Sequence, residues 1–404
     1  VREQLKSLYL RTLDACAPEG LVREAITRDM PRNVVAIGKC AGALRDGLDD
    51  VDDAFVAVPD GYRLPQKRSQ IAIGGHPDIT AASFEAGKKL RAFVEAHDEI
   101  LFLISGGGSA CVEFPLAPWF DERDLIETNT RLVASALKIG DINCVRKHLS
   151  AIKGGRLASR VKRSVTLVYS DVSTGALADV ASGPTLPDAT TKADAIAILE
   201  RIGGCERIVA KLRDEDCPET VKHIDDSRFA LIADNHTLVA NAAKIAASMG
   251  FTPVVVEQQI ESAVDDAAKD LLDRAANLKT NEVLIAGGEP TLMRRGDGKG
   301  GRCIELAVGM ALAEDKKKEP SDWRVRPASV PPRIHVLLGT SDGVDGNSGV
   351  AAVALTLPAS IDREVAERER LRSNSLAVAE SIGETIMIPS AGNNLRDLYL
   401  LART

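Results

Sequence analysis

The residues of this chain that could do chemistry sit in short loops rich in Gly, Ser, Asp and Lys. Ser105-Gly106-Gly107-Gly108-Ser109 is the clearest of them. Three glycines after an apolar run let the backbone approach a ligand closely, and the amides that follow can hold an anion such as phosphate or carboxylate. Lys39, in Gly38-Lys39-Cys40-Ala41-Gly42, carries a compact charge that can neutralise phosphate. The stretch Asn143–Arg156 crowds Arg146, Lys147, His148, Lys153 and Arg156 together, and Gly154-Gly155 place backbone donors beside those cations, which suits an anion. Ser170-Asp171 is followed by Ser182-Gly183-Pro184-Thr185. A carboxylate in that setting can hold magnesium or accept a hydroxyl proton. Further along come Gly287-Gly288-Glu289 and then Gly298-Lys299-Gly300-Gly301-Arg302, which opens a helical pattern reaching about Ala313. Two cations and three glycines at a helix start again suit phosphate, and an arginine can stabilise the charge of a transferring phosphoryl group. Asp342 and Asp345, in Gly339–Asn347, are candidates for metal binding or for ordinary turn chemistry.

Each of these residues also has a plainer reading: Lys39 as a solvated lysine, Asp171 as a helix cap, the basic stretch as a solvated helical face. Two nucleotide fingerprints are missing. No Gly-Lys pair has the Ser/Thr and upstream Gly of a Walker A motif, and no Gly-x-Gly-x-x-Gly follows the first strand. The six histidines include no pair at metal-ligand spacing.

The elements that must position these loops alternate. Val34–Ile37, Phe55–Val58, Ile100–Ile104, Val165–Tyr169, Phe229–Ala233, Pro253–Val256, Val283–Ala286, His335–Leu338 and Thr385–Ile388 read as strands. Helix-length amphipathic segments lie between several of them, such as Thr237–Met249, ended by Gly250. Phe229–Ala233, that helix and Pro253–Val256 read as a β-α-β unit. The expected fold is α/β with a mainly parallel sheet, and ligands of such sheets bind beyond the carboxyl ends of the strands. The candidate loops follow predicted strands at those ends.

The chain has 404 residues, 45% hydrophobic and 27% charged, enough for two or three domains with real cores. A net charge of −7 with only 3% aromatics argues against a nucleic-acid partner. Seven scattered cysteines without Cys-x-x-Cys fit a reducing, cytoplasmic compartment rather than a disulfide framework or zinc site. The N-terminus shows no signal pattern, and no apolar run is long enough to span a membrane. Polar, charged Arg213–Asp226 suggests a boundary near Ser227, and Glu314–Pro332 reads as an exposed loop.

Together the segments resemble the glycerate 2-kinase family, the class II glycerate kinases with a C-terminal MOFRL domain. The resemblance rests most on Ile142–Ala158, on Ser170-Asp171-Val172 and on Ser182-Gly183-Pro184-Thr185. His76-Pro77, Ser105–Ser109, Gly287–Thr291 and Gly300-Gly301-Arg302 add to it in the family's order. It implies a Rossmann-like N-terminal domain (1–226), with 376–404 able to pack back on it, and a smaller MOFRL-type α/β domain (227–375). The active site would lie in the cleft between them. The implied reaction is ATP plus D-glycerate giving 2-phosphoglycerate plus ADP, with Mg2+ and without nucleic-acid or membrane partners; a homodimer stays open. The family's active-site lysine, aspartate and arginine fall on Lys39, Asp171 and Arg302, with Asp171 and Asp342 as the metal candidates. The chain departs from the family pattern at Ser173-Thr174-Gly175-Ala176, Cys303-Ile304 and Ile388–Asn394. Rival readings are a kinase for another small hydroxy acid, a hydroxypyruvate reductase and a non-catalytic ligand-binding regulator.

Overall fold

The computed structural model describes residues 1–135, 137–172, 177–316, 333–389 and 392–403. The substituted Ser173–Ala176 segment, Ser390-Ala391 and all of the expected 314–332 loop from residue 317 onward lie outside the described residues. The chain forms two compact units, Pro18–Asp234 and Val1–Ala17 with Asn235–Thr404.

The first unit is built on six strands: β1 (Asn33–Ile37), β2 (Asp53–Pro59), β3 (Gln70–Gly74), β4 (Glu99–Ser105), β5 (Arg163–Tyr169) and β6 (Ser227–Ala233). They lie in the order β3-β2-β1-β4-β5-β6, and every pairing is parallel. This is the strand order of a dinucleotide-binding doubly wound sheet, so the Rossmann-like expectation holds. The central strands are apolar throughout, as burial on both faces demands: Val34–Ile37 and Ile100–Ile104 are almost fully buried. The loops after β1, β4 and β5 therefore open along one edge, where the candidate residues were expected.

The second unit holds β7 (Thr252–Val255), β8 (Glu282–Gly288), β9 (Ile334–Thr340), β10 (Ala352–Leu357), β11 (Gly383–Ile386) and β12 (Asp397–Arg403). Its order is β11-β10-β9-β12-β8-β7. The sheet is mixed: β7 runs parallel to β8, and β12 runs antiparallel to both β8 and β9. Helices Val264–Ala275, Arg302–Lys316 and Ser375–Ile382 share a core with one face. Helices Arg2–Ala15 and Asn235–Ser248 pack on the strands as well, and Tyr9 Oη donates to the Thr340 carbonyl at 2.6 Å.

Three expectations need correction. The β-α-β unit is divided: β6 closes the first sheet and β7 opens on the second, because the helix between them buries Leu238, Val239, Ala242 and Ala246 in the second unit. The units consequently separate at Asp234/Asn235, not near Ser227, and the first 17 residues belong with the C-terminal unit. Residues 376–404 do not return to the first sheet, since β12 lies inside the second one. Strands β3, β10 and β12 were not anticipated, and Thr385–Ile388 forms as Gly383–Ile386.

Candidate functional site

Backbone contacts fix the edge of the first sheet before any side chain reaches out. Gly38 has φ +115°, and a Cβ there would collide with the Ser105 carbonyl. That close approach lets the Lys39 amide donate to Gly106 O at 2.9 Å and the Cys40 amide to Ser105 Oγ at 3.1 Å. Ser105 Oγ donates in turn to Ile37 O at 3.3 Å. Ser105 is thus a stitch between the β1 and β4 loops rather than a ligand contact.

Gly106 and Gly107 form a bare strip with a candidate side chain on each flank. A Cβ on Gly106 would strike the Asp171 carboxylate, and one on Gly107 (φ +80°) would lie 2.8 Å from Lys39 Cγ. The loop needs glycine here because Lys39 and Asp171 occupy the space on either side. Among the described residues no acceptor takes the amides of Gly107, Gly108 or Ser109. The strip therefore offers donors as well as room.

Lys39 Nζ stands 5.6 Å from the centroid of the Tyr62 ring, and Tyr62 meets His76 edge-on with ring centroids 6.3 Å apart. Burial, followed by the charges of Lys39 and Arg146, lowers the His76 pKa against the pull of Asp171. Beyond Ser109, its Oγ lies 2.8 Å from Ser182 Oγ, and Ser182 Oγ donates to Asn143 Oδ1 at 2.9 Å. Ala181, Ser182 and Gly183 all adopt positive φ. Thr185 is buried behind them.

The basic stretch is only partly what its composition suggests. Arg146 bonds Asn129 Oδ1 through Nε (3.0 Å) and Nη2 (2.7 Å), leaving its charge in the neighbourhood of His76. Lys147 is 3% exposed and paired with Asp179 at 3.0 Å and Asp188 at 3.3 Å. Lys153 is 1% exposed and paired with Glu113 at 2.5 Å. Both lysines are neutralised inside the unit, because a buried ammonium requires a carboxylate beside it. They correct the expectation of anion-binding cations.

The C-terminal unit contains a cavity of about 1190 Å³ lined by Gly298, Gly300, Gly301, Arg302, Glu289 and Arg396 among others. Arg302, the first residue of its helix, directs Nε and Nη2 at the two oxygens of Asp397, each at 3.2 Å, and Nη1 at Glu289 Oε1 at 3.0 Å. Asp397 is fully buried at the head of β12 and also accepts from Tyr399 Oη at 3.2 Å. Burial raises its pKa, opposed by Arg302.

The glycines before Arg302 do not form an open cradle. Gly298 N donates to Arg372 O (3.1 Å), Lys299 N to Asn374 Oδ1 (3.2 Å) and Gly300 N to Asn347 Oδ1 (3.0 Å). Asp345 accepts from Ile304 N at 2.9 Å and caps the helix. The backbone amides of Gly298, Lys299 and Gly300 are therefore taken by protein acceptors, which leaves the Arg302 side chain as the anion-binding candidate at this helix start. Burial, with Asp397 nearby, pushes the Asp345 carboxyl up to about 7. Lys299 is exposed and stands outside the cavity wall. Gly287 and Gly288 are buried and paired to β12, and a side chain there would strike Asn235 or Ile260, so packing demands them. Asp342 closes its own turn, accepting from Thr340 Oγ1 (2.8 Å) and Val344 N (3.2 Å). Among the described residues no three His, Cys, Asp or Glu side chains gather as a metal site, and no helix is long and apolar enough to cross a membrane.

Sequence reasoning missed Asp397, Arg396 and Tyr62. Tyr62 follows a turn signal, Asp60-Gly61. The other two acquire meaning only when β12 inserts between β8 and β9.

Residues 4–214 match the family model described as "Domain of unknown function (DUF4147)", and residues 282–397 match the MOFRL family. A glycerate 2-kinase of Sulfurisphaera tokodaii is 31% identical, over 92% of this chain and 90% of its own length. A protein of Agrobacterium vitis named putative hydroxypyruvate reductase is 29% identical over 97% of this chain and 93% of its own length. The crystal structure of a glycerate kinase from Thermotoga maritima superposes with a TM-score of 0.83 at 25% identity, covering 100% of this chain and 99% of that one. Both family models match in order and the fold agrees from end to end, so the chain belongs to the glycerate 2-kinase family.

Proposed function

We propose that this chain is a glycerate 2-kinase, passing the γ-phosphoryl group of ATP to the C2 hydroxyl of D-glycerate. The observation that carries the site assignment is the Gly106-Gly107 strip, with Lys39 on one flank and Asp171 on the other. Phosphoryl transfer requires little covalent work from a protein; it needs the reactants positioned and the accumulating charge neutralised. Lys39 neutralises phosphoryl oxygens, and the amides of Gly107, Gly108 and Ser109 donate to them. The hydroxyl oxygen forms its bond to phosphorus as the bond from phosphorus to the departing ADP oxygen breaks. Asp171 accepts the hydroxyl proton or holds the cation. Within the C-terminal unit, Arg302 is the cation offered to a phosphoryl group. Arg146, Ser109 and Ser182 bind the hydroxy acid.

Magnesium fits these residues, because in such sites it keeps waters and takes one or two carboxylates plus phosphate oxygens rather than an all-protein cage. Asp171 would hold it, and it would supply charge neutralisation at the phosphates. Asp342, occupied by its own turn, is the poorer candidate. A cytoplasmic location is consistent with seven buried free cysteines.

A coupled ADP-release assay over a panel of small hydroxy acids, beside NADH oxidation with hydroxypyruvate, tests the proposal. D-Glycerate should stimulate ADP release and yield phosphate on C2. NADH oxidation without ADP release would replace the kinase with a reductase.

A further inference from the structure

Two guanidinium groups of the C-terminal unit converge on one carboxylate. Glu289 Oε1 lies 3.0 Å from Arg302 Nη1, and Glu289 Oε2 lies 3.4 Å from Arg396 Nε. Each arginine is also held by other groups. Asp397 grips Arg302 through a two-point contact, while Glu261 (2.6 Å) and Gln259 Oε1 (2.8 Å) hold Arg396. The Arg396 side chain is 11% exposed and that of Glu289 is 40% exposed. The forks are fixed; the carboxylate between them is the half-exposed partner. All three residues line the large cavity.

We infer that Arg302 and Arg396 form a seat for a dianionic phosphoryl group, and that Glu289 occupies this seat until the ligand arrives. Two carboxylate oxygens span the two donors as two phosphoryl oxygens would. Glu289 is then a competitor of the ligand and not one of its holders, which revises its place among the expected binding residues. The arrangement also discriminates. A substrate carboxylate exchanging for Glu289 brings the same single charge and gains nothing, whereas a phosphoryl dianion brings an extra charge to two cations. The inference deepens the kinase reading, on which it rests for the role of Arg302, and it adds Arg396 to that role.

Calorimetric titration of the full chain with inorganic phosphate, at low ionic strength and without nucleotide, tests it. Glu289→Gln keeps the shape and removes the charge, and should lower the phosphate Kd by about tenfold. Arg396→Gln should raise it by a similar factor, and Arg396→Lys, which keeps charge but loses the fork, should fall between. Melting curves confirm that each variant is folded, and Glu289, being half exposed, is safe to change. An unchanged or higher Kd for Glu289→Gln overturns the proposal. Titrations with ATP, ADP and 2-phosphoglycerate identify the source of the phosphoryl group: the ligand that brings it shows the same opposite shifts in the two variants. If none of the three responds, the seat is not a substrate site. Failure of the kinase reading is distinguishable, since absent ADP release would leave the phosphate shifts in place.

Discussion

Two glycine-rich loops, Ser105–Ser109 and Gly298–Gly301, look equivalent as strings of residues but have opposite relations to their surroundings. In the first, Gly106 and Gly107 are bare so that Lys39 and Asp171 can flank them, and the following amides find no acceptor among the described residues. In the second, the amides of Gly298, Lys299 and Gly300 are bonded to Arg372, Asn374 and Asn347, and Asp345 caps the helix beyond. Gly301 is required because its missing side chain leaves room for Asp345. A glycine run thus serves a ligand only where its donors remain unsatisfied; where they are satisfied it serves packing.

The difference should be largest in where substitutions act. Lys39→Ala at the first loop is expected to lower kcat by on the order of 10³ while the melting temperature changes little. Gly301→Ala, by contrast, forces a methyl group into Asp345 and should cost about 1–3 kcal/mol of stability, with the folded enzyme retaining much of its turnover. Steady-state kinetics beside thermal melts compares them. If Gly301→Ala melts normally but loses turnover, the second loop is functional and the comparison breaks.

Arg302 stands between the two behaviours, since it is proposed to act on substrate and is also the partner of a buried carboxylate. Arg302→Ala should lose turnover and also melt at a lower temperature, because Asp397 is left as an uncompensated buried charge, costing up to about 3–5 kcal/mol. Adding Asp397→Asn should recover much of the melting temperature and none of the turnover. Recovery of both would make Arg302 merely structural.

A smaller effect sharpens the packing side of the comparison. The Asp345 carboxyl is raised to about 7 by burial and by Asp397. Between its ordinary value near 3.8 and about 7 the folded chain holds a proton that the unfolded chain has released. Stability from this group is therefore full below that window and lost as pH rises through it. Asp345→Asn should gain in melting temperature relative to the unmodified chain as pH goes from 5 to 8. A difference that does not vary with pH would mean that the carboxyl does not titrate there.

Much of the first unit was legible because its chemistry is local to strand ends. Ile37, Ile104 and Tyr169 end apolar runs, and a parallel sheet sends the residues after them to one edge, so the nearness of Lys39, Gly106–Gly108 and Asp171 was legible by position. Where side chains point is a long-range fact. Lys147 and Lys153 look like surface cations until Asp179, Asp188 and Glu113 are seen beside them. Asp397 begins, and Arg396 immediately precedes, a strand whose place between β8 and β9 no local pattern specifies. For the same reason Phe229–Ala233 and Pro253–Val256 read as one β-α-β unit although the strands that form there lie in different sheets.

Kinetics and melting of Asp171→Asn with ATP and D-glycerate test the central claim, that the bare strip between Lys39 and Asp171 is where phosphoryl transfer occurs. Asn is nearly the same shape and caps a turn about as well as Asp, so a structural role would leave the enzyme active. The account predicts a normal melting temperature with turnover reduced by on the order of 10³. A normally folded Asp171→Asn enzyme with near-native kcat would contradict it.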